Sequence, residues 1–130
     1  MNSNERDDYQ AAGERMYQDA NALYDNARYG TATHLFGLAA ECAIKSSLQR
    51  QPGTTTALPY KHIPELIDDA KRLMSGRRRS YLVSLISHPD YMAGWKVVNR
   101  YWSDELFNIA QCRKYRDDAN KTIQAMYTSV

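Results

Sequence analysis

Apolar positions recur every three or four residues along most of the chain, and the first such run is Tyr9, Ala12, Met16, Ala20, Leu23 and Ala27. That spacing turns one apolar side of a helix over about residues 5–28 toward a core, with Tyr17 and Tyr24 widening the face. Tyr29-Gly30-Thr31 breaks the pattern, because glycine accepts the backbone angles that end helices and Thr31 can cap a new one. The second helix is therefore expected to begin near residue 31 or 32. From Ala32 to Leu48 nearly every position is apolar or small, as in a helix surrounded by other helices. Gln51-Pro52-Gly53 and the threonines 54–56 predict a loop. Pro59 and Pro64 should hold residues 60–63 extended until Pro64 opens a third helix, about 64–75, that buries Leu66, Ile67, Ala70 and Leu73.

Ser75-Gly76 breaks the chain again, and Tyr81, Leu82, Leu85 and Ile86 predict a short fourth helix that stops before Pro89. The pattern over residues 89–102 favours no element. Ser103 is expected to cap a long last helix, reaching about residue 127, with Asp104 and Glu105 in its first turn. Its inward stripe would be Leu106, Ile109, Cys112, Tyr115, Ala119, Ile123 and Met126. No stretch alternates in the manner of a hairpin. The expected fold is all-α, an antiparallel bundle of four to five helices forming one domain over residues 1–130.

Composition narrows this picture only slightly. A chain of 130 residues suits one core, and ten tyrosines are its one excess. The opening MNSNERDDYQ is too polar for a secretory signal and no apolar run reaches membrane-spanning length, so a cytoplasmic protein without membrane contact is expected. Cys42 and Cys112 lack any CxxC partner, and His34, His62 and His88 stand apart, so neither a metal site nor a cofactor is expected. The net charge of +2 does not by itself argue for nucleic acid. Its distribution is more telling, since Lys71, Arg72, Arg77, Arg78 and Arg79 fall together without an acid, either as a solvated loop or as a surface for an anionic partner.

His34, Glu41 and Lys45 share one line of the otherwise apolar second helix. Exposed, Glu41 and Lys45 would be an ordinary pair at i, i+4. Covered by another helix, Glu41 would need a cationic or hydrogen-bonding partner, for which Arg100 and Lys61 are the candidates. Trp95, Lys96, Arg100, Tyr101 and Trp102 form an aromatic and basic cluster, suited either to stacked bases and phosphates of single-stranded RNA or to a core or subunit interface.

The order of ATHLFGLAAECAIKSSL, then KHIPEL, then GWKVVNRYW before the final helix resembles small HEPN-domain proteins, over roughly residues 9–125. The resemblance implies a compact, commonly dimeric helical bundle and a role in toxin–antitoxin, phage-defence or RNA-processing systems. The ribonucleases of that family carry arginine, four to six residues, then histidine at the start of a late helix. Here the matching arginine is Arg100, but Glu105, Leu106 and Phe107 stand where the histidine belongs. Arg28 and His34 have the literal spacing early in the chain, which is read as chance. The expectation is an RNA-associated homodimer whose catalytic competence is open; any activity would be that of a metal-independent ribonuclease.

On this view the catalytic candidates are Arg100, His34 and Glu41. Arg100, Tyr101, Trp95, Lys96, Lys45, Lys61, His62, Arg77, Arg78 and Arg79 would contact RNA or a partner. The alternative is a non-catalytic module that regulates a partner enzyme such as a nucleotidyltransferase. His88-Pro89-Asp90 is also the tripeptide of J-domain cochaperones, a remote alternative to its simpler use as a helix stop.

Overall fold

The structure, a computed structural model, describes residues 8–50, 61–74 and 81–128. Among these are five α-helices and no strand: α1 Tyr9–Asp25, α2 Tyr29–Gln49, α3 Glu65–Leu73, α4 Tyr81–Ile86 and α5 Ile109–Thr128. The all-α bundle expected from the periodicity is what the chain forms. The expected loop at Gln51–Thr56, the stretch at Pro59 and the break at Ser75-Gly76 lie outside the described residues, as do Arg77, Arg78 and Arg79.

α1 starts where the Asp8 carboxylate accepts a hydrogen bond from Ala11 N at 2.9 Å, capping a free amide of the first turn. It packs closely along α2, since a Cβ added to Gly13 would lie 3.2 Å from Cys42 Cβ. α2 is the centre of the molecule, with Phe36, Ile44 and Leu48 fully buried. Each of these contributes roughly 1.5–3 kcal/mol through burial. Ala32, Ala39, Ala40 and Ala43, also fully buried, let the neighbouring elements approach.

The turn between α1 and α2 falls earlier than the glycine suggested. The Asn26 side-chain amide donates to Ala22 O at 2.8 Å, Arg28 N donates to Leu23 O at 2.9 Å, and Ala27 takes the left-handed φ of 60° between them. The side chain of Asn26 thus helps to close α1, and α2 begins at Tyr29 without any cap from Thr31. Gly30 is used differently. The Phe107 ring lies over it, so close that a Cβ there would meet Cδ2 at 3.0 Å.

The last helix also departs from expectation. Ser103 precedes only a 3-10 turn, Asp104–Leu106, and makes no capping bond with its side chain. Phe107 is extended, and Asn108 Oδ1 caps the true start of α5 by accepting from Gln111 N at 2.8 Å. Leu106 and Ile109, expected inside, are therefore 54% and 42% exposed. From Cys112 onward the stripe holds, with Tyr115, Ala119 and Met126 buried, and Asp118 and Thr122 buried among them. In α3, Leu66 and Ala70 are buried as expected, but Leu73 is exposed because the helix ends there.

Residues 87–108 contain only turns and 3-10 segments, yet they are fastened to the bundle. Tyr91 Oη lies 2.7 Å from Thr122 Oγ1, Tyr115 Oη donates to Ala93 O at 2.7 Å, and Trp95 Nε1 donates to Thr33 O at 2.9 Å. Met92 N donates to the buried Asp118 carboxylate at 3.0 Å. These bonds satisfy polar groups that would otherwise be costly inside.

Candidate functional site

The site forms where the start of α2 meets residues 95–107. Its foundation is Gly37: a Cβ there would lie 1.8 Å from Trp95 Cε2, so only glycine admits the indole against the helix. Trp95 is 2% exposed, and His34, nearly one turn earlier on α2, lies nearly parallel to it with ring centroids 6.2 Å apart. The sequence offered Trp95 as a stacking platform for RNA; the structure corrects this, because the burial that seats the indole leaves it no open face. Trp95 instead positions the chain that follows.

That chain forms the 3-10 turn Val97–Tyr101 and carries Arg100 outward. The Arg100 guanidinium donates to Val97 O and Tyr101 Oη, both at 2.9 Å, and lies 4.4 Å from the centre of the Tyr101 ring. Such stacking restrains a cation without cancelling its charge. Tyr101 is 73% exposed and Trp102 is 44% exposed, with Trp102 leaning on Phe107 at 5.9 Å. His34, Arg100, Tyr101, Trp102, Asp104 and Phe107 line a cavity of about 270 Å³. A more polar cavity of about 410 Å³ adjoins it, sharing Thr31, Asp104 and Phe107 and reaching Arg28.

His34 is electrostatically unusual. Its Nδ1 is buried and finds no hydrogen-bond partner among the described residues. Burial pushes its pKa down from the usual 6.5, and the positive charges of Arg100 and His62 push in the same direction. At neutral pH the ring is therefore uncharged, a proton acceptor beside a fixed guanidinium.

The other half of the polar line behaves differently. Glu41 is 2% exposed, and its carboxylate is 3.0 Å from His62 Nδ1 and accepts from Ile63 N at 2.8 Å. Desolvation raises its pKa, while the His62 hydrogen bond, the Ile63 amide and the charges of His62 and Lys45 oppose the rise. Neither expected partner reaches it. Arg100 makes its bonds within its own turn, and Lys61 pairs with Asp69 at 3.2 Å. Lys45, a candidate RNA contact, is 5% exposed with its ammonium 5.7 Å from the Tyr9 ring centre, so it is covered rather than offered to a ligand. Glu41, His62 and Lys45 hold the bundle together.

No family model matches this chain, and no curated protein or solved structure matches it either. The structure brings His34 and Arg100 to one cavity with Tyr101, separates both from Glu41, and leaves Lys96 exposed nearby. The sequence pattern places Asp104 and Phe107 in the first turns of a long helix, which hides their position on the cavity. The competing cap at Asn108 was the signal that could have released them. His88-Pro89-Asp90 forms the turn after α4, with His88 Nδ1 accepting from Asp90 N at 3.2 Å. No cluster of His, Cys, Asp or Glu among the described residues could hold a metal, and no described helix is long and apolar enough to cross a membrane.

Proposed function

We propose that the protein is an RNA-associated component, of the kind found in toxin–antitoxin, phage-defence or RNA-processing systems, that holds single-stranded RNA where α2 begins. One observation carries this reading: Arg100, restrained on the exposed Tyr101, lines the same cavity as the neutral His34 and the exposed Trp102. A fixed cation suits a phosphate, and neighbouring aromatic faces suit unstacked bases. Asp104 on the lining offsets part of the positive charge, so binding should depend on stacking as much as on salt.

Cleavage at this site would need only what the chain supplies. Uncharged His34 would accept the 2′-hydroxyl proton as that oxygen attacks the adjacent phosphorus, and Arg100 would stabilise the charge on the non-bridging oxygens. The products would be a 2′,3′-cyclic phosphate and a 5′-hydroxyl, whose leaving oxygen takes its proton from solvent water while His34 returns to solvent the proton it accepted. The test is fluorescence anisotropy with single-stranded RNA, combined with a gel assay for cleavage in the presence of a chelator. Arg100→Ala and Trp102→Ala should each weaken binding by about tenfold. Absence of binding at low salt, or binding indifferent to both changes, would defeat the reading. Cleavage that survives His34→Ala would remove His34 from the chemistry.

A second reading has its own support. Val98, Tyr101, Trp102, Leu106 and Ile109 are all large, apolar and between 42% and 73% exposed, and they fall within one short stretch of chain. Exposed apolar residues grouped in this way suit a protein partner, either a second copy forming a homodimer or an enzyme such as a nucleotidyltransferase. Light scattering of the wild type and of Leu106→Ser with Ile109→Ser decides this. A shift from dimer to monomer supports the homodimer, and a monomeric wild type leaves only the partner enzyme.

A further inference from the structure

A carboxylate borders the cavity at α2 without being paired to either arginine beside it. Asp104 lines both the cavity of about 270 Å³ and its more polar neighbour, with Arg100 on the wall of the first and Arg28 on the wall of the second. Asp104 nevertheless forms no ion pair with either arginine and no side-chain hydrogen bond with any described residue; its backbone carbonyl accepts from Phe107 N at 3.1 Å. Packing sets where this carboxylate stands. The 3-10 turn Asp104–Leu106 is followed by the Phe107 ring, which lies so close over Gly30 that a Cβ there would meet Cδ2 at 3.0 Å. It is preceded by Trp102, whose ring leans on Phe107 at 5.9 Å and is 44% exposed, free to stack a base. A group that can only accept hydrogen bonds is therefore held beside an open aromatic face.

Such a carboxylate selects among bases by what it refuses. Water solvates the exposed Asp104 until a base stacks beside it, displaces part of that water and has to return the hydrogen bonds. Guanine returns two, because its N1–H and its N2 amino group lie side by side and match the two carboxylate oxygens. Adenine and cytosine each present one amino group next to a ring nitrogen lone pair, and uracil presents one N–H between two carbonyls, so each sets an acceptor against an acceptor. Exposure to water lowers the overall gain but leaves the difference between bases. The same negative charge disfavours a phosphate at Asp104, which keeps the backbone of an RNA on the Arg100 side and its base on the Asp104 side. A volume just below the roughly 300–1,000 Å³ of sites that enclose drug-sized ligands suits a single base.

We infer that the cavity at α2 prefers guanine in single-stranded RNA, with Asp104 accepting from N1 and N2 while the ring stacks on Trp102; this rests on the RNA-binding reading above and adds a base to it. Fluorescence anisotropy of the whole chain with the pentanucleotides UUGUU, UUAUU, UUCUU and UUUUU tests it, together with UUIUU, in which inosine keeps N1–H and lacks the N2 amino group. UUGUU should bind about tenfold more tightly than the adenine, cytosine and uracil members, with inosine between them. Asp104→Asn, which replaces one acceptor oxygen with a donor, should bring guanine to the level of the other bases, and Asp104→Ser, which lacks the planar pair of acceptors, should do the same. Circular dichroism checks that both variants keep their helices. Arg100→Ala should weaken all five alike and leave their order intact.

Equal binding of the five by the wild type overturns the guanine preference and leaves the RNA reading standing. A member other than UUGUU binding most tightly, or a guanine preference that survives both Asp104→Asn and Asp104→Ser, overturns it as well. Binding of none of the five at low salt overturns both.

Discussion

The two ends of α2 carry the same kinds of residue and treat them in opposite ways. Toward the C-terminal end, Glu41 and Lys45 are buried and held by His62, Ile63 and the Tyr9 ring. Toward the N-terminal end, His34 lines a cavity whose cation and aromatics stay accessible. The difference lies in what covers the helix: the approach to α3 closes over one end, whereas the other meets a stretch of irregular chain that seats one indole and leaves its later side chains outside. A line of polar residues on a helix thus indicates neither a site nor a structural network until its cover is known.

The largest effect that would break the comparison is expected at Gly37. Gly37→Ala would place a Cβ inside the Trp95 ring, and overpacking of this kind should cost about 3 kcal/mol in urea unfolding, with altered tryptophan fluorescence. A change of a few tenths would mean that the indole is not seated there. At the sealed end, Glu41→Leu should cost about 2 kcal/mol by leaving the Ile63 amide without its acceptor, whereas Glu41→Gln, which keeps an acceptor, should cost less than about 1 kcal/mol. Equal losses for the two substitutions would show that charge rather than hydrogen bonding matters at Glu41.

At the open end the order reverses, with function more sensitive than stability. Trp102→Ala should leave unfolding within about 0.5 kcal/mol of wild type while weakening single-stranded RNA by about tenfold. The smallest effect concerns pH. The folded state holds the His34 pKa below 6.5, so the stability associated with its neutral ring is complete above that value and is lost as pH falls through the lowered pKa. Glu41, with a raised pKa, acts in the opposite sense: its contribution is complete below 4.5 and is lost as pH rises through the folded value. His34→Leu should therefore flatten the loss of stability on the acid side of neutrality, as measured by urea midpoints at two pH values. An unchanged slope would assign the dependence to other groups.

Helical periodicity was sufficient for the all-α architecture, because a 3.6-residue repeat of apolar positions is a local property that packing then uses directly. It located α1 and the inner face of α5 from Cys112 onward for this reason. Helix ends were less legible. Gly30 looked like a stop and Ser103 like a cap, yet Asn26 and Asn108 perform those tasks through side-chain hydrogen bonds that compete with the more familiar signals. The site was half legible: Arg100, Tyr101 and His34 were singled out, but their meeting depends on Trp95 crossing to α2, a long-range contact with no periodic trace. Glu41 was correctly expected to need a partner if covered, and His62 proved to be that partner because the turn before α3, rather than Lys61 or Arg100, presents its amide and imidazole to the carboxylate.

The indole pressed into the gap at Gly37 serves as a peg that sets the register of everything downstream. Because Arg100 follows it by only a few residues, one residue inserted between them would swing the guanidinium away from His34 while the helices stayed intact. A single-residue insertion just after the peg would therefore separate folding from function, dismantling the cavity while Tyr91, Met92 and Ala93 kept their bonds to α5.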